Sequence, residues 1–221
     1  MWPWARYLIM AVIGVVAGLG AAIASVRGSA MGADATIGAW TSSTDLATGA
    51  QSARTCAAVA LRGLLALPAR EARYYNAATD DAGRPLEGGC RYRITGGVLP
   101  ARWWSLTLYD GDGYLAGDGP YSISNAALTP AEAARWTILV APQRQAGHWL
   151  PTGGLDRFEL TLRTYLPANA GRTTPARDQL PAFGGRHARD RSAHSSRTAR
   201  GVARPADPRV GNRCRDVFLH A

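Results

Sequence analysis

Residues Ala101 to Leu115, ARWWSLTLYDGDGYL, constrain the fold more than any other stretch of this chain. Trp104, Leu106 and Leu108 alternate with Trp103, Ser105, Thr107 and Tyr109, the two-residue period of a β-strand with two unlike faces. Asp110-Gly111-Asp112-Gly113 comes directly after, and these residue types tolerate the positive φ of a hairpin turn. The pattern makes the domain a β-protein.

Other segments agree. Ala72 to Ala78 (ARYYNAA), Cys90 to Thr95 (CRYRIT), Tyr121-Ser122-Ile123, Trp136 to Val140 and Phe158 to Leu166 all read as strands. In the last of these, Phe158, Leu160, Leu162 and Leu166 oppose Glu159, Thr161, Arg163 and Tyr165. The polar run Asp80 to Pro85 reads as a hairpin connection between the first two. Short strands and turn residues, with 25 Gly and 13 Pro in the chain, predict a jelly-roll-like β-sandwich. One packing helix is expected over Ser52 to Leu67, where Ala57, Leu61, Leu64 and Leu65 recur at helical spacing before Pro68. Cys56 lies beside that face and reads as a small buried apolar residue. Thr129-Pro130-Ala131-Glu132 is a capping box opening one short helical turn.

Tyr7 to Val26 carries no charged residue over its 20 positions, bracketed by Arg6 and Arg27 with Trp2 and Trp4 nearby. At about 1.5 Å per residue such a helix spans a hydrocarbon core of ~30 Å. It reads as a retained transmembrane helix with an N-inside, C-outside arrangement. The competing reading is a cleavable signal peptide, for which Ala22-Ile23-Ala24 resembles a processing site; the run exceeds the usual ~7–15-residue apolar core of such signals. Either reading exports the rest of the chain.

The net charge of +9 divides unevenly. All basic residues are Arg, and residues 1–167 hold 14 of them against 12 acidic residues, while residues 168–221 hold 11 against 4. The basicity belongs to the end of the chain. No interleaving of aromatics with Arg marks a single-strand binder, which argues against a nucleic-acid partner. The expected organisation is therefore a membrane anchor (1–27), a linker (28–49), the sandwich (50–167) and a basic, disordered tail (168–221). From about residue 182 the tail has the composition that a shifted reading frame in a GC-rich gene would give.

Candidate chemistry is sparse. Cys56, Cys90 and Cys214 have no C-x-x-C spacing and no companion histidines, so no metal site is expected, and no cofactor is implied. Asp110, Asp112 and Asp118 surround glycines, but Tyr114 stands where a calcium loop needs an acid, and a hairpin turn is the better reading. Asp80, Asp81 and Glu87 sit in turn sequence, where solvated acids are ordinary. His148 has Asp110 and Asp156 as candidate partners for base catalysis, yet no G-x-S-x-G supplies a nucleophile. The aromatic residues remain. Trp103 and Tyr109 fall on the strand face opposite Trp104, with Tyr114, Tyr121, Trp136 and Trp149 elsewhere. If that face is open it is a binding platform; if the 52–67 helix covers it, it is core. Candidate ligand-binding residues are Trp103, Tyr109, Asp110, Asp112, Tyr121, His148 and Trp149. The functional expectation is a membrane-tethered cell-envelope sandwich that binds a ligand or partner; the alternative is an envelope hydrolase using carboxylate or metal chemistry near Asp110, Asp112 and His148.

The runs GLLAL (63–67), EARYYNA (71–77), DDAGRPLEGGCRYRITG (80–96), ARWWSLTLYDGDGYL (101–115), YSIS (121–124), HWLPTGG (148–154) and FELTLRTYLP (158–167) together resemble the bacterial domain of unknown function 1214 family, in its short, membrane-anchored members. The resemblance implies a jelly-roll-type sandwich on an N-terminal anchor in the cell envelope, and carries over no catalytic residue. Two departures stand out: AGDGP after Leu115 replaces a longer loop, and after QLPAF (179–183) an Arg-rich ending replaces a short one that usually includes a cysteine. The resemblance implies a staple from the position of Cys90 to that terminal cysteine; the altered ending here predicts a free Cys90.

Overall fold

The computed structural model describes residues 3–27, 35–43, 51–61, 67–116, 119–168 and 174–187. It is mainly β, with two sheets facing each other across one core. The chain enters through helix α1 (Pro3–Arg27), then strands β1 (Ala35–Ile37) and β2 (Trp40–Ser42) and helix α2 (Ala53–Leu61). Strands β3 (Ala72–Ala77), β4 (Arg91–Gly97), β5 (Ala101–Asp110) and β6 (Ser122–Ser124) come next. The short helix α3 (Pro130–Ala133) precedes β7 (Arg135–Ala141), β8 (His148–Pro151), β9 (Phe158–Pro167) and β10 (Ala182–His187). The first sheet runs β1-β2-β3-β9-β5-β6 and is antiparallel throughout; the second runs β10-β4-β7-β8, with β7 and β8 parallel.

Alternation decides the core. Trp104, Leu106 and Leu108 of β5 point inward with Leu160 and Leu162 of β9, to which β5 pairs over most of its length. Ile94, Trp136, Ile138, Val140 and Leu150 come from the opposite sheet. Trp104 and Trp136 stack across the gap at 4.6 Å between ring centroids. That approach requires Gly96, since a Cβ there would collide with the Trp136 ring.

Four expectations change. First, Asp80 to Pro85 does not close a hairpin, because β3 pairs with β9 while β4 belongs to the other sheet. Asp80 instead holds a compact turn, accepting from the backbone N–H groups of Ala82 and Arg84 and from Arg84 Nε, and the chain crosses between sheets beyond it.

Second, the expected linker contains the β1–β2 hairpin, turned at Gly38 with φ +62°, and it buries Trp40 completely. Third, residues 174–187 belong to the sandwich. β10 pairs with β4, Trp40 Nε1 donates to Pro181 O at 2.7 Å, and the Trp40 and Phe183 rings meet at 5.6 Å. Asp81 accepts from Arg177 Nη2 at 2.6 Å and from Phe183 N at 2.8 Å. An apolar contact, a buried hydrogen bond and an ion pair offset the entropy of ordering this segment. The disorder and frame shift expected further along fall on residues outside those described.

Fourth, the cysteines exchange roles. Cys90 is buried and disulfide-bonded, not free; the expectation for Cys214 lies outside the described residues. Cys56 is exposed and free. Helix α2 is capped by Ser52, whose Oγ accepts from Thr55 N; Thr55 is buried, and Val59, not Cys56, packs against the sheet. The part of the expected helix at 62–66 lies outside the described residues.

Candidate functional site

The sequence candidates fall into three separate places. Asp110 closes the turn after β5: its Oδ1 accepts from Asp112 N at 2.9 Å and Tyr114 N at 2.8 Å. This carboxylate replaces backbone partners the turn cannot supply, and Asp112 projects from the same turn into solvent. Among the described residues no group of three or more His, Cys, Asp or Glu side chains is placed to hold a metal.

His148 and Trp149 sit on β8 in the second sheet. His148 Nε2 lies 3.3 Å from Glu132 Oε1. Glu132 closes the capping box of α3: its Oε2 accepts from Thr129 N and Thr129 Oγ1, while Thr129 Oγ1 accepts from Glu132 N. Those bonds to Thr129, first the backbone N–H and then the hydroxyl, with the one to His148 third, hold the Glu132 carboxyl below its ordinary range. Trp149 Nε1 donates to Ala141 O at 3.0 Å. His148 therefore has its partner in a helix cap rather than in Asp110 or Asp156.

The third place is the outer face of the first sheet, where β5 and β9 run side by side. Val59 of helix α2, with Leu67 beyond the helix, covers one part of it against Ala72, Tyr74 and Tyr165. The face is thus covered by the helix over one part and open over another. Beyond the helix, Trp103 keeps 39% of its surface exposed and meets Tyr165 edge-on at 5.1 Å. Arg163 lies over the Tyr109 ring at 5.4 Å, donates to Tyr109 Oη, and donates to Thr107 Oγ1 at 3.3 Å. Thr107 and Ser122 hydroxyls share a 3.0 Å hydrogen bond, and Thr161 Oγ1 donates to Asn76 Oδ1 at 2.8 Å. Thr107 and Thr161 thus find polar partners while buried on a face that alternation alone assigns to solvent, and Ser105 is buried beside them. Tyr121 is exposed just before the edge strand β6. Trp103 and Tyr109 thus share one surface with Arg163, which sequence reasoning passed over.

A second cluster was also missed. At one end of the sandwich a cavity of about 100 Å³ is lined by Arg73, Tyr75, Thr164 and Gln179, between Leu99 and Leu180. Arg73 is 2% exposed and its guanidinium lies 5.7 Å from the Tyr75 ring centroid. Thr164 Oγ1 is buried and makes no hydrogen bond of standard geometry, although it lies close enough to Tyr75 to favour the phenolate. Burial outweighs that effect and the Arg73 charge, so the Tyr75 phenol is pushed up and stays protonated at neutral pH. Next to the cavity the chain turns at Leu166, φ +47°, after which Ala168 N donates to Pro100 O at 2.8 Å.

Comparison with known proteins places this architecture. Residues 71–169 match the family model DUF1214, described as a protein of unknown function. These residues are a DUF1214 domain. The match runs from just before β3 to just after β9, so it contains the Trp103–Tyr109–Arg163 surface and Arg73, Tyr75 and Thr164 of the cavity, but not Gln179, Leu180, α1 or β10. Among solved structures, the VPA0106 protein of Vibrio parahaemolyticus superposes with a TM-score of 0.51 at 19% identity, covering 83% of this chain and 46% of that one. The chain thus spans less than half the length of that protein, and the likeness is one of fold. An uncharacterised protein of Burkholderia cenocepacia gives a TM-score of 0.38 at 19% identity, over 51% of this chain and 29% of its own. No curated protein matches the chain.

Proposed function

We propose that the protein is a membrane-tethered binding module that holds its DUF1214 sandwich on the extracytoplasmic side of the cell envelope. The observation that carries the tether is α1, in which Trp4–Ser25 is long and apolar enough to cross a membrane and none of it is buried against the protein. Apolar surface left in water costs about 25 cal/mol per Å², and a bilayer removes that cost. The disulfide at Cys90 favours an oxidising compartment for the sandwich.

For binding, the supporting feature is the Trp103–Tyr109–Arg163 surface beyond α2. Trp, Tyr and Arg are the side chains that dominate interface energetics, because each combines large contact area with a polar handle. The alternative, a hydrolase built on Asp110, Asp112 and His148, draws no support from geometry that puts Asp110 in a turn of one sheet and His148 beside a helix cap of the other.

Two measurements test this. Alkaline carbonate extraction together with an alkaline phosphatase fusion at the C-terminus should give a pelleted, active reporter; a soluble or inactive fusion refutes the tether or its orientation. A photo-crosslinking residue at position 103 in whole cells should give a discrete adduct that Arg163→Ala abolishes. The same residue at the exposed Val98 should give none, and indistinguishable patterns would refute the surface.

A further inference from the structure

We propose that the end of the sandwich carrying Val98 and Leu166 rests on the anionic headgroup layer of the membrane that α1 crosses, an inference that depends on the tether reading above. The topology brings that end to the bilayer. β1 is antiparallel to β2 and β2 to β3, so β1 and β3 begin at the same end. Ala35 is level with Ser42 and, through it, with Tyr75, a few residues in from Ala72. The chain coming from α1 therefore enters the sandwich where β3 and β5 begin and β9 finishes. Ala35 is eight positions after Arg27, a span that reaches at most about 28 Å at ~3.5 Å per residue. That is no longer than the ten-residue β5 itself, so the tether keeps this end within reach of the headgroups. Helix α2, whose Val59 packs at the same end, also passes close to α1.

What this end exposes suits such a layer. Val98, in the β4–β5 loop, is 76% exposed and Leu166 is 54% exposed. The bond from Ala168 N to Pro100 O ties their two segments side by side. Leu166 N donates to Glu71 O, and its φ of +47° is one that L side chains rarely adopt. Both apolar side chains are thus held in water by bonded backbone, and both gain by moving into lipid. Trp103, one residue pair further in, is of the type that settles at headgroup level. Arg70, Arg102 and Arg135 stand at this end against Glu71 and Asp178, which leaves its exposed charge positive. Tyr114 and Leu115 are exposed at the opposite end, but there Asp110, Asp112 and Asp156 outnumber Arg157. Anionic headgroups attract the first end and repel the second. A lipid neighbour yields no protein adduct at position 98, in keeping with the cross-linking control above.

The test reconstitutes the full chain in vesicles of three parts phosphatidylcholine to one part phosphatidylglycerol, with lipid brominated high on its acyl chains as the quencher. An environment-sensitive fluorescent residue at position 98 or 166 should be quenched, and one at position 115 should not. Arg102→Gln should weaken the contact at position 98 by about fivefold, the effect of one basic residue beside an anionic membrane. Vesicles of phosphatidylcholine alone should weaken it at least as much. The same fluorescent residue at position 12, within α1, reports the tether by itself. Quenching at 12 without quenching at 98 and 166 overturns the proposal and leaves the tether standing. Equal quenching at 115 also overturns it, as does contact at 98 that is unchanged without phosphatidylglycerol. No quenching at 12 rejects the tether, and the proposal falls with it.

Discussion

Trp40→Phe isolates the contribution of the C-terminal strand. Trp40 is wholly buried, and its indole N–H donates at 2.7 Å to the carbonyl of Pro181, one residue before β10. Phenylalanine keeps a ring beside Phe183, at 5.6 Å in the native packing, but removes the donor and part of the volume. The Pro181 carbonyl is then left with the longer 3.4 Å bond from Arg177 Nη1. An under-satisfied buried carbonyl costs about 1–3 kcal/mol, and the lost ring volume adds about 1 kcal/mol. The total of about 2–4 kcal/mol is a substantial part of the ~5–15 kcal/mol that stabilises a domain.

For a chain of this size, that loss lowers Tm by about 4–15 °C. Thermal unfolding of the full chain in micelles reads the total, and amide hydrogen exchange locates it. Protection should fall first along 182–187, where β10 has β4 as its neighbour, and last in β5 and β9. A Tm within a degree of wild type, with unchanged exchange along β10, would show that the 174–187 segment is not held by Trp40.

Leu106→Asp should give no folded protein, because the position is fully buried and an unpaired carboxylate there costs several kcal/mol; a cooperative melt would disprove the inward register. Thr107→Val should cost about 1–3 kcal/mol by removing the acceptor of Arg163 and the partner of Ser122, measured by urea unfolding. Cys90→Ser should cost about 2–4 kcal/mol through loss of the disulfide, and the native, unreduced protein should resist alkylation at Cys90. Glu132 has a depressed carboxyl, so its contribution is complete above the ordinary Glu range and disappears as pH falls through the lowered native value. The Tm gap between wild type and Glu132→Gln should therefore close on acidification; a gap that widens contradicts the cap.

Local periodicity made most strands legible. β5 and β9 alternate cleanly, and the Thr129–Glu132 box has the same residue types in sequence and in space. Partners at long range were not legible. Trp40 sits in a small, polar stretch, and its hydrogen bond reaches Pro181 across 141 positions, so nothing near either residue marks β2 or β10 as strands. Thr107 misled for a related reason. Its neighbours on the outer face are Ser122 and Arg163, and a polar residue on the outward parity reads as solvated until those partners are in place.

Arg73 was the hardest residue to read and carries the sharpest consequence. In ARYYNA the adjacent Tyr74 and Tyr75 leave a two-residue period silent about which face is core, and a charge at position 73 points the reading outward. Register reverses it. Tyr75 pairs with Leu162 and Ala77 with Leu160, both inward-facing on β9, so Arg73 shares their parity and enters the interior. The parity is testable. Arg73→Asp should lower Tm steeply in thermal unfolding of the full chain, because position 73 is 2% exposed and a carboxylate carried into the interior costs several kcal/mol. The same change at Arg102, exposed on β5, should be mild. Equal losses in the two variants would put Arg73 on the outer face and overturn the register argument.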